Sequence, residues 1–190
     1  MFGTHGSNLT NTKKGSYGGT CPAAGEDPLS PSGYYPSLVD ALQQYEPNLV
    51  RAMGAHNASS PADPELIAEA VRLAKRADAV IMAIGTDLTM AHEAKDATSL
   101  ELSDGQRALI AAVTAAAKSP IICVLFTGIP LDISTLLENP RVGAIVHVGQ
   151  PGVQTLGIAD VLFGKISPAG RTHSTMYPKS YAGQISIFDM

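Results

Sequence analysis

Apolar residues in this chain fall into unbroken runs separated by helical stripes. Ala79-Val80-Ile81-Met82-Ala83-Ile84, Ile121-Ile122-Cys123-Val124-Leu125-Phe126 and Gly143-Ala144-Ile145-Val146-His147-Val148 are the runs. Their lack of polar alternation is what strands of a parallel sheet need when helices cover both faces. Between them the spacing changes to that of a helix. Leu66, Ile67, Ala70, Val71, Leu73 and Ala74 form one stripe, opened by Asp63-Pro64-Glu65 and closed by Lys75-Arg76, which are good residues for the two ends of a helix. Ser103 and Gln106 stand three apart as in a capping box, ahead of an Ala-rich helix over 108–117 with Leu109, Ile110 and Val113 inward. Shorter helices are predicted over 133–138 and 155–163. Upstream, Leu38, Ala41, Leu42 and Tyr45 predict a short helix between Pro36 and Pro47, and Leu49-Val50-Arg51-Ala52-Met53 a short strand. Strands alternating with helices imply right-handed crossovers and an α/β fold with a mostly parallel sheet sandwiched between helices.

Composition narrows the classes. The chain has 190 residues, 45% hydrophobic and 16% charged, enough for one domain with a sizeable core. Net charge −4 and pI near 5.7 argue against a nucleic-acid or anionic-membrane partner. No apolar stretch approaches the roughly 20 residues of a membrane helix. Cys21 lies in a Gly/Pro-rich stretch and Cys123 in an apolar strand; the histidines (5, 56, 92, 147 and 173) are scattered. Neither a disulfide, a metal site nor a cofactor is expected. Residues 1–35 are rich in Gly, Ser, Thr and Asn without apolar periodicity. Taken alone they read as a flexible tail, or as a loop-rich start to a domain occupying 36–190.

Ligands of open parallel sheets sit beyond the carboxyl ends of the strands. Three loops are delivered there: 85–102, 127–132 and 149–154. The first carries Asp87, His92, Glu93, Asp96 and Glu101, with Asp104 at the helix start after it. Glu93 is the candidate general acid/base; its bland alternative is a solvated surface acid, the commoner fate of glutamate. His92 is a candidate contact beside it. Asp87 either binds a substrate hydroxyl or forms a turn with Thr86 and Thr89. Asp96 is better explained by Lys95 or a turn, and Asp104 by the helix start. Asp132 and Gln150 lie on loops that reach the same ligand. Gly149-Gln150-Pro151-Gly152 before a helix permits an anion. However, neither a Gly-x-Gly-x-x-Gly after a strand nor a Gly-Lys-Ser/Thr occurs, so a nucleotide- or phosphate-binding module is the weaker alternative. A Gly-x-Ser-x-Gly nucleophile elbow is also lacking.

Read in order, several segments resemble the carboxyl-terminal sandwich domain of glycoside hydrolase family 3, in its β-xylosidase-like branch. The likeness runs through Gly15-Ser16-Tyr17-Gly18-Gly19, Ala74-Lys75-Arg76-Ala77-Asp78, Gly85-Thr86-Asp87, Glu93 with Asp96, and Gly128-Ile129-Pro130-Leu131-Asp132. It continues through Gly149-Gln150-Pro151-Gly152, Ile158-Ala159-Asp160-Val161-Leu162-Phe163-Gly164, Ser167-Pro168-Ala169-Gly170-Arg171, Thr175-Met176-Tyr177-Pro178 and Asp189-Met190.

The resemblance implies an (α/β)6 sandwich that here lacks its first strand and packs on an N-terminal barrel domain missing from this chain. It implies a retaining glycosidase in which the barrel supplies an aspartate nucleophile and Glu93 is the acid/base. The substrate implied is a carbohydrate, a xylo-oligosaccharide or aryl glycoside, and the setting extracellular. The chain departs from the branch's Glu-x-Glu-Gly-Arg-Asp-Arg, reading Ala91-His92-Glu93-Ala94-Lys95-Asp96-Ala97. This removes partners that orient the loop through charge-assisted hydrogen bonds. Gln150 replaces a usual aromatic, Thr172-His173 a usual Leu-Pro, and Met176 a usual tryptophan. Those losses keep a non-catalytic or vestigial sugar-binding domain open as the alternative.

Overall fold

The computed structural model describes residues 37–150, 155–184 and 186. The stretch 1–35, Cys21, residues 151–154 and Asp189-Met190 lie outside the described residues. The elements, in chain order, are α1 (Leu38–Gln43), α2 (Pro64–Ala74), β1 (Ile81–Gly85), α3 (Asp104–Ala116), β2 (Ile121–Phe126), α4 (Ser134–Leu137), β3 (Val142–Gly149) and α5 (Leu156–Leu162), followed by a 3-10 turn at Lys179–Gly183. The strands form one sheet in the order β1-β2-β3, both pairs parallel, with Met82 opposite Cys123 and Cys123 opposite Ile145. This is the helix-covered parallel sheet that the apolar runs predict. The described residues contain three of the six strands implied by the resemblance.

Strand geometry, with side chains alternating across the sheet, divides the core in two. Met82 and Ile84 of β1 with Ile121, Cys123 and Leu125 of β2 pack under α2 and α3, against Ala70, Ala74, Leu109, Ile110 and Val113. Ala83, Val124 and Phe126 face the other way, onto α1 and α5 through Leu38, Leu42, Ile158 and Ala159. Every strand position of β2 therefore needs an apolar residue, which is why its run is unbroken. The Cys123 thiol is free, and burial pushes its pKa up to about 12.

The helix ends follow their sequence signals, with exceptions. Ser37 and Asp40 make a full capping box on α1. Asp63 caps α2 by accepting from the amides of Glu65 and Leu66, at 2.9 and 3.2 Å. α1 stops at Gln43, yet Tyr45 still serves the core: its ring stacks on Phe163 at 4.6 Å and its hydroxyl donates to Asp160. The strand predicted over 49–53 does not form. Only Leu49 and Ala52 turn inward, while Val50, Arg51 and Met53 are exposed, and no ladder partner is in register among the described residues. The Ser103–Gln106 box is half made. Ser103 accepts from the Gln106 amide, 3.3 Å away, but the Gln106 side chain is used elsewhere, at the site.

Candidate active site

The exit of β1 is built first by a glycine and a glutamine. Gly85 has φ +141°, and a Cβ there would lie 1.7 Å from the carbonyl oxygen of Phe126. Only glycine fits that close approach. Beside it Gln106, 4% exposed, accepts from the Gly85 amide and donates to the carbonyls of Gly85 and Ala58, all at 2.8 Å. One side chain thereby holds the strand end and the 52–60 loop to the start of α3. The next two residues continue the anchoring. The Thr86 amide donates to Phe126 O at 2.8 Å, and the Thr86 and Thr127 hydroxyls meet at 3.1 Å, buried.

Asp87 then turns the chain. It is 5% exposed; one carboxylate oxygen accepts from the Ala58 amide at 3.0 Å, the other from the amide of Thr89 at 2.8 Å and from the Thr89 hydroxyl. Its own carbonyl receives the amides of Met90 and Ala91. Of the two readings that the sequence leaves open, the turn with Thr89 is present in the geometry.

The loop reaches its tip at His92-Glu93-Ala94-Lys95. His92 and Lys95 exchange backbone hydrogen bonds of 3.0 and 2.9 Å, leaving Glu93 and Ala94 as a two-residue turn. Ala94 takes φ +66°, the one positive φ on a non-glycine residue among those described. That left-handed position ordinarily calls for glycine, and the family pattern has glycine there. Glu93 is exposed on the turn. The His92 ring nitrogen Nδ1 pairs with the Glu93 carbonyl, and Lys95 Nζ donates to Thr89 O at 2.6 Å. Lys95 thus ties the tip back to its own base.

The far end of the loop is joined to the other two. The Asp132 amide donates to Leu100 O at 2.7 Å, and Glu101 bridges Asp132 as a strand pair. Asp132 accepts the Ser134 amide at 2.9 Å and the Lys179 amide at 2.7 Å. Burial works against its ionisation, but these donors and the Lys179 charge outweigh it and hold the carboxyl below its ordinary value. Lys179 Nζ also pairs with Glu101, and Arg107 donates to Leu102 O at 2.7 Å. The third loop meets the second where the Gln150 amide group packs over Gly128; a Cβ there would be 2.8 Å from Nε2. On β3, His147 stands edge-on to His173, with ring centroids 5.8 Å apart. Burial first, and the neighbouring His173 second, lower its pKa.

The described parts of the three loops meet at the carboxyl edge, Leu100 against Asp132 and Gln150 against Gly128. Asp132 works within the scaffold, and Gln150 lies over the second loop. Sequence reasoning assigned Gln106 only a capping role and gave Lys179 none. A buried amide side chain that satisfies backbone in two other segments leaves no local signal. The strain at Ala94 was legible, since the family pattern has glycine at that position. Among the described residues no grouping of three His, Cys, Asp or Glu side chains could hold a metal ion, and no helix is long and apolar enough to cross a membrane.

A parallel sheet with helices on both faces and an acid-bearing loop at its carboxyl edge is the arrangement of an α/β sandwich. Residues 1–186 match the glycosyl hydrolase family 3 C-terminal domain, and the chain belongs to that family. It is 37% identical over 156 residues to probable β-D-xylosidase 6 of Arabidopsis thaliana, covering 81% of this chain and 19% of the relative. To the exo-1,4-β-xylosidase bxlB of Emericella nidulans it is 35% identical over 161 residues, covering 84% and 21%. Among solved structures, a GH3 exo-β-xylosidase (XlnD) in complex with a xylobiose aziridine activity-based probe superposes with TM-score 0.77 at 30% identity, over 96% of this chain and 22% of that one. The GH3 β-glucosidase of Bifidobacterium adolescentis does so with TM-score 0.65 at 31% identity, over 73% and 20%. The chain spans about a fifth of the length of these relatives.

Proposed function

We propose that this chain supplies the acid/base half of a retaining glycosidase acting on β-xylosides, with Glu93 as proton donor to the departing oxygen. The observation that carries this reading is the position of Glu93. It occupies the tip of a loop pinned at its base by Gln106 and Asp87 and at its far end by Asp132 and Lys179. Retention needs a second carboxylate about 5 Å away to attack the anomeric carbon, and in this proposal a barrel domain provides it. His92, exposed beside Glu93, contacts the sugar, and Asp87 positions the loop that carries both. The likeness to proteins named as xylosidases supports a xylo-oligosaccharide or aryl xyloside as substrate.

The test is Glu93→Gln in a protein joining this chain to a family barrel. Losing a general acid costs about 10²- to 10⁴-fold, and the cost falls on substrates whose leaving group needs protonation. Turnover of unactivated xylosides drops on that scale, while nitrophenyl xylosides lose little in the glycosylation step. An equal loss on both would show that Glu93 is not the proton donor. The second reading, a sugar-binding domain without catalysis, is favoured by the strained Ala94 beside Glu93.

A further inference from the structure

The segment that follows α5 carries two tyrosines that the catalytic proposal leaves unused. Tyr177 and Tyr181 stack nearly parallel, with centroids 4.4 Å apart and an interplanar angle of 7°, yet 43% and 36% of their surfaces face solvent. Stacking covers one face of each ring, so the exposure lies on the remaining faces and edges. The pair is fixed in place. The Tyr181 amide donates to Pro178 O at 2.9 Å, closing the 3-10 turn. Between the two rings in sequence, Lys179 binds Asp132 through its amide and Glu101 through its ammonium group. The aromatic pair is thereby attached to the far end of the loop that carries Glu93.

We propose that Tyr177 and Tyr181 form a platform for a pyranose ring of a xylan chain, on the segment tied to the far end of the Glu93 loop. The inference rests on the glycosidase reading and extends it to a binding subsite. A sugar ring presents electron-poor C–H groups on its faces, which suit the negative face of an aromatic ring. Xylose has no exocyclic hydroxymethyl group, so it lies flat on such a surface. The same exposed turn carries Ser180 and Gln184 as well as the two phenols, polar groups able to meet sugar hydroxyls. Because the rings are already paired, a ligand immobilises little side-chain freedom on binding. A platform of this kind holds an oligosaccharide by a unit away from the bond being cleaved.

The test is affinity electrophoresis of the full chain through gels containing soluble xylan, with xylohexaose titration followed by tyrosine fluorescence. The chain has no tryptophan, so that signal comes from tyrosine alone. Xylan retards the native chain. Tyr177→Ala and Tyr181→Ala each weaken binding by roughly tenfold or more, a change worth about 1.4 kcal/mol per decade, while the melting temperature falls by only a few degrees, the cost of one lost ring stack. Tyr181→Phe keeps the ring face and most of the affinity. Absence of xylan binding overturns the platform, as does binding indifferent to both alanine variants. None of these outcomes touches the leaving-group test, so either proposal falls without the other.

Discussion

Gln106→Met is the sharpest test of how this scaffold holds its loop. Methionine keeps the length and flexibility of glutamine, so the substitution removes hydrogen bonds and leaves packing nearly unchanged. Three contacts of 2.8 Å disappear together: one to the Gly85 amide and one each to the carbonyls of Gly85 and Ala58. Gln106 is buried, so water does not replace them. An orphaned buried donor or acceptor costs about 1–3 kcal/mol, and carbonyls tolerate it better than amides. The amide at the high end and two carbonyls at the low end sum to about 5 kcal/mol; partial relaxation of the 52–60 loop brings the expected loss to about 3 kcal/mol. Urea unfolding followed by circular dichroism reads this directly. With a slope of about 2 kcal/mol/M, the midpoint falls by about 1.5 M at constant slope. Amide exchange at Gly85 and Thr86 accelerates more than at Cys123, since the damage is local before it is global. A midpoint within about 0.3 M of the native value, on the same slope, would refute the reasoning and mean that the glutamine contributes shape alone.

Further outcomes follow from the same geometry. Ala94→Gly relieves the left-handed alanine at the tip of the Glu93 turn and stabilises the chain by about 0.5–1 kcal/mol; a loss of stability would show that the turn does not need φ > 0. Gly85→Ala drives a Cβ into the Phe126 carbonyl and abolishes the cooperative thermal transition. In a Cys21→Ser background, Cys123 stays unreactive toward a disulfide reagent at pH 8, because burial keeps it protonated, and reacts at once in denaturant. His147 has a lowered folded pKa, so below its unfolded pKa, near 6.5, the unfolded chain binds more protons. Its contribution is therefore complete above that pH and shrinks as pH falls toward 5; His147→Gln flattens that part of the stability–pH curve. Asp132, lowered in the fold, loses its contribution only below about pH 4, and Asp132→Asn removes that acid limb.

The amino-acid sequence by itself determined the layer structure. Burial on both faces leaves β2 no room for a polar residue, so its run announces a central parallel strand, and Asp63-Pro64 marks the start of α2 through local backbone chemistry alone. It also placed Glu93 beyond the carboxyl end of β1, because a loop after a parallel strand has nowhere else to emerge. What depended on distant segments was decided only by the tertiary structure. Val50 and Met53 have strand-forming side chains, yet no ladder partner stands in register among the described residues, so they stay exposed. Gln106 signals a helix cap by its spacing but spends its side chain on Gly85 and Ala58, residues 21 and 48 positions away. Lys179 reaches back 78 positions to Glu101. Local patterns report local hydrogen bonds and burial; the anchors of this loop are long-range, and a contact between remote residues has no period to read.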